Sequence, residues 1–247
     1  MKLFDDIIGE IRDYIDKRES AGAARRFRVT GDVAWPAAGD RDIVLQADTG
    51  VELGNPRDES VAFLVWTSDE SRVRDGEITL IGPDIGECAE GRLVFGRAVL
   101  VAGAGFNEEN NHDRYREMEL LRYDVSLRGY MMRAVSQYMR EWSRVSREAK
   151  ERGFSFSILG EALVEQFRTR DYVGAVEVLF VTKAAEDVRE LRGIGERAMR
   201  YINAMNKMIE EMDFDCGSCD YQDVCGEAGD LLTMRNSLKK AKDAKLN

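Results

Sequence analysis

Three of the four cysteines in the chain fall within one run, Cys216-Gly-Ser-Cys219-Asp-Tyr-Gln-Asp-Val-Cys225. A C-x2-C pair brings two thiolates close enough to hold one ion or cluster, and Cys225 returns as a third ligand through a turn over Tyr221–Val224. Asp213, Asp215, Asp220 and Asp223 surround the run and favour a cation or a cationic cluster. The pattern points to a bound metal ion such as zinc or to an iron–sulfur cluster, with a merely structural thiol cluster as the alternative. A tetrahedral site needs a fourth ligand, which Cys88, an Asp, His112, a second copy of the chain in a homo-oligomer or an exogenous group can each supply. A redox role for the pair lacks the thioredoxin-like βαβ context that such pairs keep.

The second chemistry-bearing feature is a run of arginines. Between His112 and Arg152 there are ten basic side chains against seven acidic ones, in a chain whose formal net charge is −10. Arg140, Arg144 and Arg147 are spaced by four and three, which on a helix puts them on one face, with Trp142 and Trp66 as stacking partners. Guanidinium forks bind phosphate bidentately, which lysine does not reproduce. The competing reading is a solvated face laced with ion pairs four residues apart, such as Arg144 with Glu148.

Other motifs carry less. Gly103-Ala-Gly105 follows a β-prone run, but a dinucleotide fingerprint would place its third glycine where Glu108 stands, and a carboxylate there repels a pyrophosphate. Gly82 and Gly86 lie in a turn-rich loop that reads as a connection between strands, and Cys88 reads as a small buried residue. His112 is the only histidine, and no nucleophile elbow accompanies it.

These residues need elements to hold them. Leu3, Phe4, Ile7, Ile8, Ile11 and Ile15 recur at helical spacing, predicting an N-terminal packing helix. Arg26–Thr30, Asp42–Ala47, Val61–Thr67, Glu77–Ile81 and Arg97–Ala102 read as short strands between Gly, Asp, Asn and Pro clusters. From His112 to Arg152 the apolar spacing predicts a long central helix, weakened or divided at Gly129. A strand over Phe154–Ile158, a helix over Gly160–Arg168, a strand over Ala175–Thr182 and a helix from Ala184 to Met212, broken near Gly193 and Gly195, complete the pattern. The expectation is an α+β fold with a mixed or antiparallel sheet, the long central helix and flanking helices. Residues 1–212 form its main domain, and 213–247 hold the cysteine segment and a charged helical tail.

Composition narrows the setting. The 247 residues are 44% hydrophobic with only three prolines, enough for one sizeable continuous core. The acidic balance disfavours nucleic-acid partners, which need phosphate-neutralising Lys and Arg. No apolar signal-peptide core opens the chain and no stretch is long enough to span a membrane, so the expected location is cytoplasmic. In that reducing compartment clustered cysteines serve as ligands or redox groups more often than as disulfides.

Five blocks together resemble the beta subunit of the acetyl-CoA decarbonylase/synthase complex (acetyl-CoA synthase). They are Ile81-Gly-Pro-Asp-Ile, Trp142-Ser-Arg-Val-Ser-Arg-Glu-Ala, Gly153-Phe-Ser-Phe-Ser-Ile-Leu-Gly160, Val176-Glu-Val-Leu-Phe-Val-Thr182 and Phe214-Asp-Cys-Gly-Ser-Cys219. They occur in that family's order and span about Asp75 to Cys225. The resemblance implies the family's central domain, coenzyme A recognition by Arg144 and Arg147, and the start of a cluster site at Cys216 and Cys219. It also implies carbon monoxide dehydrogenase or corrinoid protein subunits as partners, in anaerobic one-carbon metabolism. The departures are as informative. The family's nickel-bearing cluster uses further cysteines, including a downstream Cys-Gly-Cys, and here no cysteine follows Cys225. A square-planar nickel site needs those two thiolates and their intervening amides. The expectation is therefore a truncated relative without the full acetyl-CoA synthase reaction.

Overall fold

A computed structural model of the chain describes residues 2–39, 43–88, 91–107, 110–135, 139–210 and 219–246. Helix α1 (Asp5–Ser20) forms as its periodicity predicts, burying Ile7, Ile8, Ile11, Tyr14 and Ile15. The main sheet has five strands in the order β1 (Ala24–Arg28), β4 (Glu77–Ile81), β9 (Ala175–Val181), β6 (Phe95–Ala102), β3 (Ser60–Thr67). It is mixed: β3 runs parallel to β6 and β4 to β9, while β6 with β9 and β1 with β4 are antiparallel. Every residue of β3, β4, β6 and β9 is buried, so their sequences are mostly apolar, interrupted by Ser60, Thr67, Glu77, Thr79, Arg97 and Glu177.

Helices cover both faces of this sheet. Gly160 of α4 (Phe156–Arg168) lies against Ile78, and Gly195 of α5 (Ala185–Glu210) lies against Phe63. The strand register puts Ile78 and Phe63 on opposite faces, since Ile78 aligns with Val178 and Val99, and Phe63 with Ala98 and Leu179. At both glycines a Cβ would approach the neighbouring side chain to under 3.0 Å. Gly195 therefore serves close packing, and α5 runs unbroken where a break was expected.

The expected helix from His112 to Arg152 is not present. Only its two ends are helical, the first as α2 (Asn111–Leu121). After a short 3-10 turn the chain forms strands β7 (Tyr130–Val135) and β8 (Glu141–Ser146), then the short helix α3 (Arg147–Glu151). These strands belong to a second, four-stranded sheet ordered β5 (Gly91–Leu93), β2 (Thr49–Leu53), β8, β7. The physical reason lies in β8. Its inward positions are Glu141, Ser143 and Val145, all fully buried, so the period-two alternation is real but two of its three inward members are polar. Inside, Arg97 meets Glu141 at 2.6 Å and Tyr130 meets Ser143 at 3.1 Å, which makes that polarity tolerable.

Two smaller expectations also change. Residues 43–48 form turns leading into β2 rather than a strand, with Asp42 outside the described residues. Phe154–Ile158 is the entry to α4: Ser155 Oγ accepts from Ile158 N at 3.4 Å, and Asp84 Oδ1 accepts from Phe156 N at 2.9 Å. The predicted domain boundary at 212–213 falls outside the described residues. Beyond it α6 (Gln222–Glu227) and α7 (Gly229–Leu246) join the same apolar core through Val224, Cys225, Leu231 and Met234. Among the described residues no helix is long and apolar enough to cross a membrane.

Candidate functional site

Strand geometry separates the three arginines that helical spacing had grouped. Arg140, just before β8, donates to Asp58 O at 2.6 Å and Pro56 O at 3.3 Å. Arg144 is buried within β8, where its Nε donates to Glu52 Oε1 of β2 at 2.9 Å. Its guanidinium also lies 5.3 Å from the Trp142 ring, as does that of Arg133. Arg147 opens α3, is exposed, and alone of the three lines a cleft beside that helix.

That cleft has a volume of about 280 Å³. Its walls come from three places distant in sequence: Trp35, Ile43, Val44 and Asp48; Arg128 and Gly129; and Ser146–Ala149 with Arg152. Backbone hydrogen bonds fasten these pieces together. Arg128 N donates to Pro36 O at 2.9 Å, Ser146 N to Gly129 O at 2.7 Å, and Arg147 N to Asp48 O at 2.8 Å. The Trp35 indole N–H donates to Arg128 O at 2.9 Å, and its ring stands edge-on to Phe154 with centroids 5.2 Å apart. Gly129 has φ of +78°, and a Cβ there would fall 2.6 Å from both the Ala149 Cβ and the Ser146 Oγ. Only glycine lets the Arg128 turn approach α3 this closely.

The electrostatics are cationic at the mouth. Arg128, Arg147 and Arg152 face Asp48 and Glu148. The Arg152 guanidinium lies 5.7 Å from the Trp35 ring centroid, within reach of the ring's negative face. Ile43, 65% exposed, adds an apolar rim. Guanidiniums, an indole and an aliphatic edge in one cleft suit a ligand with anionic phosphates and an aromatic or aliphatic part. Sequence reading missed Trp35 and Arg152 as site residues. Trp35 is joined to Arg128 across 93 positions, a pairing without local signature.

Of the predicted thiolates, Cys216 lies outside the described residues. Cys219 is half-buried, and its carbonyl accepts from Gln222 N at 3.2 Å to start α6. Cys225 is buried on α6, where the helix meets α5 and α7. An Arg200–Asp223 contact at 2.6 Å ties α6 to α5 from outside. Among the described residues no three His, Cys, Asp or Glu side chains converge as metal ligands, so neither Cys88 nor His112 completes a set with Cys219 and Cys225. Cys88 sits elsewhere, its Sγ 3.1 Å from Asp84 O, and burial pushes its thiol pKa up. The loop after β6 is packing rather than a nucleotide turn: a Cβ at Gly103 would strike the Tyr172 carbonyl.

Three of the five resemblance blocks meet around Pro83 and Asp84. Asp84 receives Phe156 N, and Pro83 O accepts from Thr182 Oγ1 at 2.7 Å. The chain is 37% identical over 139 residues to the acetyl-CoA decarbonylase/synthase complex subunit beta of Methanothermobacter thermautotrophicus, covering 56% of this chain and 28% of that protein. It is 29% identical over 185 residues to the corresponding subunit of Methanopyrus kandleri, covering 74% and 38%. It is 28% identical over 202 residues to the carbon monoxide dehydrogenase/acetyl-CoA synthase subunit alpha of Moorella thermoacetica, covering 76% and 26%. The chain thus spans well under half the length of these relatives. The family model of the CO dehydrogenase/acetyl-CoA synthase complex beta subunit matches residues 32–188, which include β2 to β9 and every wall of the cleft, and this chain belongs to that family.

Proposed function

We propose that this chain is an acetyl-CoA decarbonylase/synthase beta-subunit-like protein of one-carbon metabolism whose cleft binds coenzyme A through Arg128, Arg147, Arg152 and Trp35. The observation that carries this reading is the convergence of three guanidiniums and an indole on one cleft in an acidic chain. Coenzyme A supplies complementary chemistry: anionic phosphates for the arginines, a purine for the indole, and a pantetheine arm for the apolar rim. Arg144 is tied to Glu52 between β8 and β2 and is not among the residues that line the cleft. Calorimetric titration with coenzyme A tests the reading. Binding by the unaltered chain, weakened about tenfold in Arg147→Ala, is the expected result; absent binding, or equal affinity in the variant, removes it.

The thiols support a second element of the same reading. Cys219 precedes α6 and Cys225 lies on it, and soft thiolate donors suit iron–sulfur clusters or zinc. With Cys216 they form the three-thiolate set of an iron–sulfur cluster, which when bound supplies one-electron transfer. The chain's part is to hold the thiolates and, through the burial of Cys225, to restrict oxidant access. Anaerobically purified protein is then brown with stoichiometric iron, and Cys225→Ser loses most of it. Colourless protein with zinc, or with no metal, favours a structural role for the thiols. Carbon monoxide dehydrogenase subunits are the partners this reading implies, since the relatives are named as subunits of acetyl-CoA decarbonylase/synthase and carbon monoxide dehydrogenase/acetyl-CoA synthase, and a corrinoid protein subunit is a partner implied by the family resemblance alone.

A further inference from the structure

Glu148 occupies an unusual place in the cleft. It is the second residue of α3, its side chain is 62% exposed, and a single oxygen, Oε1, faces two arginines. Arg128 Nη2 lies 3.5 Å from that oxygen and Arg152 Nη1 lies 3.3 Å from it. The two guanidiniums arrive from different elements, one from the turn before β7 and one from the end of α3. A lone acceptor between two converging forks is also the position a phosphate oxygen takes when two arginines bind it. Both contacts are at the long end of the hydrogen-bond range, and exposed pairs of this kind contribute little net stability. They are readily exchanged for the shorter contacts of a phosphate near 2.8 Å, to use a rough charge-assisted distance.

We infer that Glu148 is a built-in competitor for the phosphate position: it holds Arg128 and Arg152 when the cleft is empty and sets a threshold for anionic ligands. The inference rests on the reading of this cleft as a coenzyme A site. Its chemistry is simple. A phosphate entering between the guanidiniums displaces the carboxylate and then sits beside it, so each bound phosphate meets both the attraction of two cations and the repulsion of one anion. Asp48, which also lines the cleft, adds a further negative charge to the repulsion. The consequence is selectivity by charge. Ligands with several phosphates overcome Glu148, whereas singly charged carboxylates do not. Replacing Glu148 with a neutral isostere removes the competitor while leaving the guanidiniums in place.

The test is calorimetric titration of the full chain and of Glu148→Gln, using coenzyme A and inorganic pyrophosphate as separate probes, at low and at high salt. The expected result is that the variant binds both probes about three- to tenfold more tightly at low ionic strength, with the gain shrinking as salt screens the charges. Glu148→Asp, whose carboxylate is withdrawn by one methylene, falls between the two and guards against a folding defect in the first variant. Equal or weaker binding by Glu148→Gln overturns the inference, because it makes Glu148 a support for the arginines and not their occupant. A gain for coenzyme A without one for pyrophosphate also overturns it, since the carboxylate would then face the base. If the unaltered chain binds neither probe, the coenzyme A reading of the cleft itself fails, an outcome distinct from the other two.

Discussion

Arg144 and Glu52 sit directly opposite one another in the antiparallel pair of β8 and β2, joined at 2.9 Å with side chains only 8% and 13% exposed. A charge pair so far withdrawn from water is held by its partner more than by solvent, and loss of either member strands the other. Arg144→Ala should therefore cost about 3 kcal/mol in urea denaturation, whereas exposed Arg147→Ala should stay within about 0.5 kcal/mol of the parent. On coenzyme A binding the order reverses for direct effects, because only Arg147 lines the cleft. Equal stability losses in the two variants would show that the pair is a solvated contact.

Gly129 makes a second prediction with an internal control. Its φ of +78° and the 2.6 Å approach to Ala149 and Ser146 impose two separate penalties on any side chain. Gly153 has φ of +92° with nothing within 4 Å of its would-be Cβ, so only the backbone penalty applies there. Gly153→Ala should cost about 1 kcal/mol, and Gly129→Ala should cost at least about 2 kcal/mol. The second variant should also lose coenzyme A affinity as Arg128 is pushed from α3. Similar denaturation midpoints for the two would mean that the close approach relaxes without effect.

The Arg97–Glu141 pair joins the two sheets in the interior, with side chains 2% and 0% exposed. Among the described residues Arg97 Nε and Nη1 have no hydrogen-bond partner, so its desolvation is incompletely offset. Glu141→Gln should cost about 3–5 kcal/mol by leaving a buried cation unbalanced. The double variant Arg97→Met/Glu141→Leu should recover most of that loss, as measured by guanidinium denaturation. A double variant as unstable as the single one would indicate that the pair specifies the packing of the sheets and cannot be replaced by apolar volume.

Glu190 yields a pH prediction. The hydrogen bond from Arg18 is the largest influence and lowers the carboxylate pKa, outweighing its partial burial. A folded-state value below the unfolded one means that the contribution is complete above the ordinary carboxylate range and disappears as pH falls through the folded value. With the Glu190 side chain 48% exposed, the contribution is below about 1 kcal/mol. The gap in urea midpoint between the parent and Glu190→Gln should be present at neutral pH and close only as pH falls below the ordinary carboxylate range. A gap that persists unchanged in acid would contradict an ionic origin.

Much of the frame was legible from periodicity. Helix α1, strands β3, β4, β6 and β9 and the helices that cover them bury apolar residues at the spacing their geometry demands, so pattern and structure agree. Strand β8 was not legible, because Glu141 and Ser143 occupy inward positions that are tolerable only once Arg97 and Tyr130 arrive from elsewhere. The missed strand pair explains the regrouped arginines. Period two sends Arg144 into the sheet, and Arg147 begins a new element at the cleft.

What the residues determined by themselves was chemical type: thiols spaced for ligation, arginines suited to phosphate, and blocks in one family's order. Which of those groups meet was decided only by tertiary structure. Trp35 joins Arg128 across 93 positions, and Glu148 lies between Arg128 and Arg152 because Gly129 permits the turn to reach α3. Such contacts depend on packing between distant segments, and packing carries no signature in the local spacing of any one of them.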